Sequence, residues 1–527
     1  MSSVVGVKTS WLPLVVVVLT QIQASFAVNA LTVSMQGITS DLDTPATSVG
    51  TAITAGTFAM AAFILLGAKL GAKFGSRRVF QIAVTIHGLA MLGVALSVSP
   101  AMLFIAQAAS GAVIALIAPA LVVFIAANFK GAQQAQAIGF LAAAIPAAGV
   151  LALLIAGAFA STIGWRYSFV LVAALAAVNL LLSFRLKKVA PISGVQIDGV
   201  GALLAAVSVI LLSFGFSGLS SWGILAATDA APFSIAGLSP APVLVVLGIV
   251  GAQVFFAWTR RQKLAGRPQL FDLDVLKAPS DRATTLAMSA MLFVGTAANF
   301  LIPLYIQIVQ GRSSFETSIA VIPYTLSIFV SSSVVASLYS RFAPRTIARV
   351  GFLVVSFALV LLAFTIRNEW EQILVVVGLV ILGLGQGAIV ALVFNTLLAS
   401  SPKELAGDVG AWRGLVHNMS GSVGIADNDD LPPELVSQVN LDNVDFVTNE
   451  RLDDVLAQTD ATPQQIDAAV ALNEESRLQA LKISLLALAG IALLAVVPAG
   501  RMPGFTPGDI PEQLSTGTPA PFEPRED

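Results

Sequence analysis

The sequence contains no cysteine and only two histidines, His87 and His417, among its 527 residues. The absence of cysteine excludes disulfide bonds, thiolate metal sites and cysteine nucleophiles, and two histidines are too few to make a metal site. No P-loop is present, so ATP does not drive this protein directly. We expect no enzymatic activity, no cofactor or metal, and no nucleic-acid partner.

Charged residues are also scarce, at 11% of the chain, whereas 56% of the residues are hydrophobic. Windows of about 20 apolar residues, each long enough to cross a hydrocarbon core of about 30 Å, recur through nearly the whole sequence. Stretches such as "WLPLVVVVLT" (11–20) do not alternate apolar with polar residues, which disfavours a membrane β-barrel. The sequence therefore predicts an all-α polytopic membrane protein.

Fourteen candidate spans can be counted. They lie near 11–36, 50–68, 79–98, 101–127, 134–161, 167–185, 199–219, 241–259, 283–308, 318–340, 347–366, 372–399, 407–426 and 481–499. The first stretch is long and lacks a small-residue cleavage site, so we interpret it as a retained span.

Basic residues concentrate in alternate connections between these spans, whereas the opposite connections are acidic or sparse in charge. By the positive-inside rule, the basic connections and both termini are cytoplasmic. The Ala-, Val- and Gly-rich composition suggests a bacterial source, and hence the cytoplasmic (inner) membrane. We assign a cytoplasmic gate between two halves to five basic residues and one glycine. They are Lys73, Arg77, Arg78, Arg341, Arg345 and Gly75. An equally good interpretation is that these residues only determine the membrane topology.

An internal repeat supports two halves. "AKFGSRRVF" (72–80) and "SRFAPRTIA" (340–348) share a basic residue, Phe, a small residue and then Arg, and each follows the second span of a six-span group. Two related six-helix halves are typical of a transporter that opens alternately to each side. We assign 1–190 to the N-terminal half, 191–279 to two inserted central helices with a cytoplasmic linker, 280–500 to the C-terminal half, and 501–527 to a disordered cytoplasmic tail.

The acidic segment 427–480 interrupts the second half. Its carboxylates far outnumber its basic residues, and the topology places it outside the cytoplasm. Solvation of an external loop accounts for such a segment, and a binding site for a protein partner is the alternative. "TPQQ" (462–465) is typical of a capping box, with Pro463 at the first position of a helix that continues into the last span.

Several local patterns, in order, resemble the fourteen-span drug/proton antiporter branch of the major facilitator superfamily. They are "GWRYSF" (164–169), "DGVGALLAAVSVILLSFGFSGLSSWG" (198–223), "GRPQLFDL" (266–273), the span-nine exit from Ile302, and "AGDVGAWRGLVHNMSGSVGIA" (406–426). The resemblance implies the major facilitator fold, with two six-helix halves, two extra central helices and a cavity between the halves.

The charged positions of that branch are missing. The aspartate of the first span falls on Ala24, and the aspartate of the loop between spans two and three falls on Ala72. The arginine of span four falls on Gln107, and the Gly-Pro pair of span five on Ala152-Leu153. No Asp or Glu lies well inside any proposed span, so proton coupling through a membrane carboxylate is not expected.

Histidine is the side chain that changes charge near neutral pH, so a proton or charge relay falls to His87, or to His417 with Arg413 one turn before it. A hydrogen-bonded core histidine and an arginine at the membrane boundary are the plain alternatives. Gln21, Ser25 and Asn29 repeat every four residues and share one helix face. They are candidates for lining the cavity, although polar side chains also hold membrane helices together.

Other cavity candidates are polar residues within apolar spans. They are Gln107, Asn299, Tyr305, Gln307, Gln386 and Asn395. We expect a membrane transporter that exports small amphipathic or lipophilic compounds by alternating access, with unusual or absent proton coupling. The alternatives are an uncoupled carrier of a neutral or lipid-like substrate, and a degenerate transporter that serves as a membrane scaffold for a partner.

Overall fold

The computed structural model describes residues 11–504 apart from 45, 193, 229–230, 232, 235, 309–313, 339–340, 368–372, 402–404 and 426–462. Every regular element in these ranges is helical. The first eight helices are α1 (Leu12–Val33), α2 (Met35–Asp41), α3 (Ala46–Phe74), α4 (Ser76–Ala95), α5 (Pro100–Asn128), α6 (Gly131–Leu151), α7 (Gly157–Thr162) and α8 (Arg166–Ser183). A π-helical segment (Ala152–Ala156) joins α6 to α7.

The second part of the chain adds nine α-helices and a 3-10 turn (Leu273–Leu276). These helices are α9 (Gly199–Ser221), α10 (Pro240–Leu264), α11 (Pro279–Ile308), α12 (Ser314–Leu338), α13 (Pro344–Thr365), α14 (Ile373–Ala399), α15 (Ala406–Ile425), α16 (Pro463–Leu494) and α17 (Val496–Ala499). The all-α prediction is confirmed.

Within the described residues, twelve helices are long and apolar enough to cross a membrane. Helix α12 contributes a shorter apolar segment, Ile319–Val335, and α15 is not among the twelve. The 20 residues of α15 give a length of about 30 Å, enough to cross the hydrocarbon core. The count of fourteen spans stays a prediction.

Several helices begin at a side-chain cap encoded in the sequence. Ser99 Oγ accepts a hydrogen bond from the Met102 amide, with Pro100 at the first helical position of α5. Asp198 caps α9 through the Gly201 amide and accepts a second hydrogen bond from Trp258 of α10 at 2.9 Å. These caps satisfy amides that have no partner inside the helix, and they fix where each span starts.

Helix α16 begins at Pro463 and runs for 32 residues to Leu494, as the capping-box pattern predicts. It packs against α13, where Ser356 Oγ donates to the Ala489 carbonyl at 2.9 Å. Residues 463–480 of the acidic segment belong to this helix, whereas residues 427–462, which carry most of the predicted partner site, lie outside the described residues.

One end of the bundle is closed by direct contact between the proposed halves. Gly407, Gly410 and Gly414 lie three and four residues apart on α15, so they share one face. A Cβ atom on Gly407 would lie 3.7 Å from Ala68 Cβ of α3, and one on Gly410 would lie 2.8 Å from Val122 of α5. We call this the closed end, because α3 and α5 end there and α15 begins there.

Helices α6 and α12 make a second close approach between the proposed halves. A Cβ on Gly139 of α6 would lie 2.1 Å from the Ser332 carbonyl oxygen of α12. Backbone cannot move out of the way as a side-chain end can, so glycine is required here for the helices to meet.

The opposite end is organised around Trp165, in the stretch after the fifth predicted span. Its Nε1 donates to Asp41 Oδ2 at 2.9 Å, and Arg166 binds the same oxygen. The hydrogen bond from Trp165, together with the Arg166 guanidinium, holds the pKa of the Asp41 carboxyl below its ordinary value although partial burial opposes this. Arg166 also donates to the Ser97 carbonyl at 3.1 Å and so joins three connections.

The contact between α6 and α12 predicts that Gly139→Val destabilises the protein. Overpacking of this kind costs about 1–3 kcal/mol, and we expect a lower melting temperature for the purified protein in detergent. Gly490→Val is the matched control, because nothing lies within 4 Å of a Cβ at that helical glycine. Equal melting temperatures for the two variants would contradict the close approach.

Candidate substrate and coupling site

The polar stripe on α1 forms as the spacing predicts. Gln21 Nε2 donates to Ser25 Oγ at 3.0 Å, and Asn29 Nδ2 donates to the Ser25 carbonyl at 2.7 Å. Asn29 is exposed, and its Oδ1 lies against Gly149 of α6. The stripe therefore follows α1 toward the end opposite the closed end. Its role as a cavity lining stays a prediction.

Gln107 is buried at the crossing of α3 and α5. Its backbone carbonyl lies 3.1 Å from the Cβ position of Gly56. One turn further, a Cβ on Gly111 would lie 1.9 Å from the Gly56 carbonyl oxygen, so the two helices touch backbone to backbone. The neutral amide thus lies in a tight interface inside the N-terminal group of helices.

Three helices of the C-terminal group meet at a second polar cluster. The Tyr324 hydroxyl of α12 donates to Gln386 Oε1 of α14, and it also hydrogen-bonds the Asn299 side chain of α11. Asn299 Nδ2 donates to the Gly295 carbonyl at 2.8 Å, and the Gln386 amide lies over Gly295. The sequence identified Asn299 and Gln386 but not Tyr324, whose position within an apolar helix was the available signal.

The remaining cavity candidates are less informative. Asn395 is buried on α14, nine residues beyond Gln386. The side chains of Tyr305 and Gln307 lie outside the described residues.

His87 lies in a fully buried hydrogen-bonded group that joins α1, α4 and α8. Gln23 Nε2 lies 2.8 Å from His87 Nδ1, and Asn179 Nδ2 donates to Gln23 Oε1 at 2.8 Å. All three side chains have no exposed surface. The other ring nitrogen, Nε2, is buried and has no hydrogen-bond partner among the described residues. These contacts favour the core-histidine alternative, while the relay role of His87 stays a prediction.

Arg413 and His417 share a face of α15, as their spacing predicts. Arg413 is 9% exposed, and its guanidinium lies over the Phe394 ring of α14, 4.8 Å from the centroid. The arginine side chain therefore lies inside the bundle, and both its relay role and its role at the membrane boundary stay predictions. His417 is half-buried, with an inaccessible Nδ1 that has no hydrogen-bond partner among the described residues.

The predicted gate residues lie at the closed end, but the contacts described for Arg77 stay within the N-terminal group. Arg77 donates to the carbonyls of Leu186 and Phe184 just after α8, at 2.7 and 2.6 Å. The Ala72 carbonyl accepts from the Ile192 amide at 2.9 Å, so the segment after α8 covers the turn that lacks an aspartate. Gly75 in that turn has a φ of 88°, which favours glycine.

The other basic gate candidates are exposed at the same end. They are Lys73, Arg78, Arg341 and Arg345. Their part in holding the halves together stays a prediction.

An ion pair that the sequence analysis missed joins the proposed halves. Lys69 Nζ of α3 lies 2.9 Å from Asp408 Oδ2 of α15, with side chains only 14% and 6% exposed. Asp408 also accepts from the Asp272 amide, and Asp272 in turn binds Lys263 at 3.0 Å. The buried carboxylate lies in the first turn of α15, at the end of a span. A search for charges in the middle of spans therefore passes over it.

The Lys69–Asp408 pair predicts a large effect of Asp408→Asn. Breaking a buried pair leaves one charge uncompensated and costs about 3–5 kcal/mol, whereas an exposed pair contributes about 0–1 kcal/mol. We expect a clear fall in the melting temperature for Asp408→Asn. The control is Asp41→Asn, whose carboxylate is 47% exposed in its pair with Arg166; similar effects of both variants would contradict the assignment.

The buried amide–imidazole group predicts that Gln23→Leu lowers stability by about 1–3 kcal/mol, because His87 and Asn179 then lose their partner. Thermal unfolding in detergent measures the effect. Adding His87→Leu to that variant should cost less than His87→Leu alone, since the imidazole has already lost its amide partner. A double variant whose loss equals the sum of the two single losses would contradict the coupling.

The sequence is similar to a known protein family and to several known proteins. A model of the Major Facilitator Superfamily matches residues 17–425. The chain is 25% identical to the tetracenomycin C resistance and export protein of Streptomyces glaucescens over 375 residues, covering 70% of this chain and 66% of that protein. It is 27% identical to the puromycin resistance protein pur8 of Streptomyces alboniger over 431 residues, covering 79% and 80% of the two chains.

Solved structures agree on the fold. The human organic anion transporter MFSD10 superposes with a TM-score of 0.57 at 12% identity, covering 93% of this chain and 99% of that one. The proton:xylose symporter XylE superposes with the same TM-score and identity, covering 92% and 94%. Membrane-spanning helices, this shared fold and the matched family model lead to one conclusion: the chain belongs to the Major Facilitator Superfamily and is a membrane transporter, not an enzyme.

Proposed function

We propose that this protein exports small amphipathic or lipophilic compounds across the bacterial cytoplasmic membrane by alternating access. The observation that carries the proposal is the asymmetry along the bundle. The halves touch at the closed end through Gly410 and the Lys69–Asp408 pair, while Asn29 and Asn299, near the other ends of α1 and α11, are exposed. A transporter caught open to one side needs this arrangement.

The relatives support the direction of transport. Those named for resistance to puromycin or for resistance to and export of tetracenomycin C point to antibiotic-like compounds moved out of the cell. The basic residues around the closed end assign that end to the cytoplasm. In this assignment both termini are cytoplasmic, and the end near Asn29 and Asn299 faces the outside.

Conventional coupling through a carboxylate in the middle of a span is not part of this proposal, because Ala24 stands where the resemblance to the drug/proton antiporters implies an aspartate in the first span. A proton-driven cycle would have to use Asp408, His417 or His87. An uncoupled carrier is the second candidate, favoured by the same missing carboxylates. The scaffold alternative depends on 427–480, most of which lies outside the described residues.

The absence of native cysteine allows a direct test with a disulfide lock. Ala68 Cβ lies 3.7 Å from the Cβ position of Gly407, within the range of about 3.5–4.5 Å that a disulfide spans. We expect the Ala68→Cys/Gly407→Cys variant to cross-link under oxidation and to stop efflux of a fluorescent dye from cells lacking their own pumps. Reduction should restore efflux, and each single variant is a control.

Continued efflux by the fully cross-linked protein would contradict alternating access at this end. A protonophore separates the two candidates. Collapse of efflux on its addition indicates proton-driven export, and Asp408→Asn, His417→Ala and His87→Ala then identify the group involved. The uncoupled carrier predicts dye movement that the protonophore does not affect and that runs only down the dye gradient.

A further inference from the structure

Arg413 is a buried cation that forms no ion pair with any described carboxylate. Lys69, Arg166 and Lys263 each lie within ion-pair distance of a described carboxylate. The Phe394 ring beneath the guanidinium provides a cation–π contact, which replaces only part of the hydration that burial removes. A buried charge without a counter-ion is costly in a membrane protein, and such residues mark functional sites.

Helices α15 and α11 each carry one acidic residue, and both carboxylates are already engaged. Asp408, five residues before Arg413, is held by Lys69. Asp281 in the first turn of α11 accepts from Ser400 Oγ at 3.1 Å and from the Ala278 amide at 3.3 Å. Neither carboxylate binds Arg413, so these two helices provide no counter-ion for it.

The guanidinium borders a small apolar cavity between α11, α14 and α15. Its lining residues are Met288, Met291, Leu292, Val390, Val393, Phe394 and Arg413. The cavity measures about 10 Å³, close to the minimum for one water molecule. A ligand therefore requires α15 to move away from α11 and α14, and α15 is also the helix that seals the closed end.

His417 lies one turn further along α15, beyond the residues that line the cavity, and carries a second nitrogen. Its Nδ1 is inaccessible to solvent and unpaired among the described residues, so an acceptor could bind both Arg413 and His417. The cavity thus combines five guanidinium N–H donors at one edge with thioether, aliphatic and aromatic walls. Methionine-rich walls adapt to ligands of different shape.

We propose that this cavity is the substrate site of the exporter and that it selects amphipathic anions, with the acidic head group bound by Arg413 and the apolar body against Met288, Met291 and Phe394. This inference rests on the proposed function and adds the chemical class of the substrate. The shared chemistry is a lipophilic acid, supplied either by a free compound or by the head group of an anionic lipid.

Three probes of one shape test the charge requirement. They are pyrenebutyrate, its neutral methyl ester, and the corresponding pyrenebutyl trimethylammonium cation. Binding is measured by fluorescence anisotropy with the full chain in phosphatidylcholine nanodiscs, after subtraction of empty nanodiscs. We expect pyrenebutyrate to bind most tightly and Arg413→Gln to weaken it at least about tenfold, while binding of the ester changes little.

Variants separate this role from a structural one. Arg413→Lys should retain part of the anion binding, and Arg260→Gln, an exposed arginine of α10, should bind like the parent protein. Because an unpaired buried cation destabilises the fold, Arg413→Met should keep or raise the melting temperature without ligand and lose the rise on adding pyrenebutyrate. A marked fall without ligand together with unchanged anion binding would assign Arg413 to the fold and overturn the proposal.

Phosphatidylglycerol distinguishes the two sources of the anion. Competition with pyrenebutyrate that disappears in Arg413→Gln identifies a lipid head group, and no competition identifies a free compound. Equal binding of pyrenebutyrate and its ester overturns the inference. Export assays keep the two proposals apart. If the parent protein exports cationic dyes and Arg413→Gln affects no probe, the anion site alone is refuted. If the parent protein exports none of the probes, the proposed function is refuted, and the anisotropy result then tests the anion site alone.

Discussion

The close packing of α15 on α3 and α5 is the contact on which the rest of the structure depends. A Cβ on Gly410 would lie 2.8 Å from Val122, and one on Gly414 would lie 2.1 Å from Ile64, so glycine lets α15 approach the proposed N-terminal half more closely than a larger residue would allow. Lipid provides no hydrophobic driving force between helices, so close approach and specific polar contacts hold them together. The Lys69–Asp408 pair acts at the first turn of the same helix, so packing and charge close one end of the bundle together.

Helix α15 carries charges that a span surrounded by lipid could not carry. Asp408, Arg413 and His417 lie among the 20 residues of α15. Enclosure by α3, α5, α11 and α14 keeps these side chains away from lipid. One face contacts the other half and another faces α11 and α14, where Trp412 also donates to Thr285 at 3.3 Å. A movement of α15 would therefore change the closed end and the arginine cavity at once.

The sequence predicted the elements of the fold well and the site only in part. Long apolar windows, and start signals such as Pro463 at the first position of α16, act locally, so helix positions follow from the residues themselves. The stripe of Gln21, Ser25 and Asn29 was equally accessible, because its members lie on one helix. Contacts between distant segments were not: Lys69 and Asp408 are 339 residues apart, and Asn179 joins Gln23 across 156. Pairing of that kind depends on helix packing that periodicity does not reveal.

The measurement that tests this account most directly is the distance between the two halves at the closed end as substrate is added. Spin labels at Lys187→Cys, after α8, and Arg349→Cys, on α13, report this distance in a chain with no other cysteine; both native residues are exposed. Alternating access predicts a second, longer distance whose population changes with substrate and disappears in the cross-linked Ala68→Cys/Gly407→Cys background. One unchanged distance under every condition, with dye export intact, would contradict it.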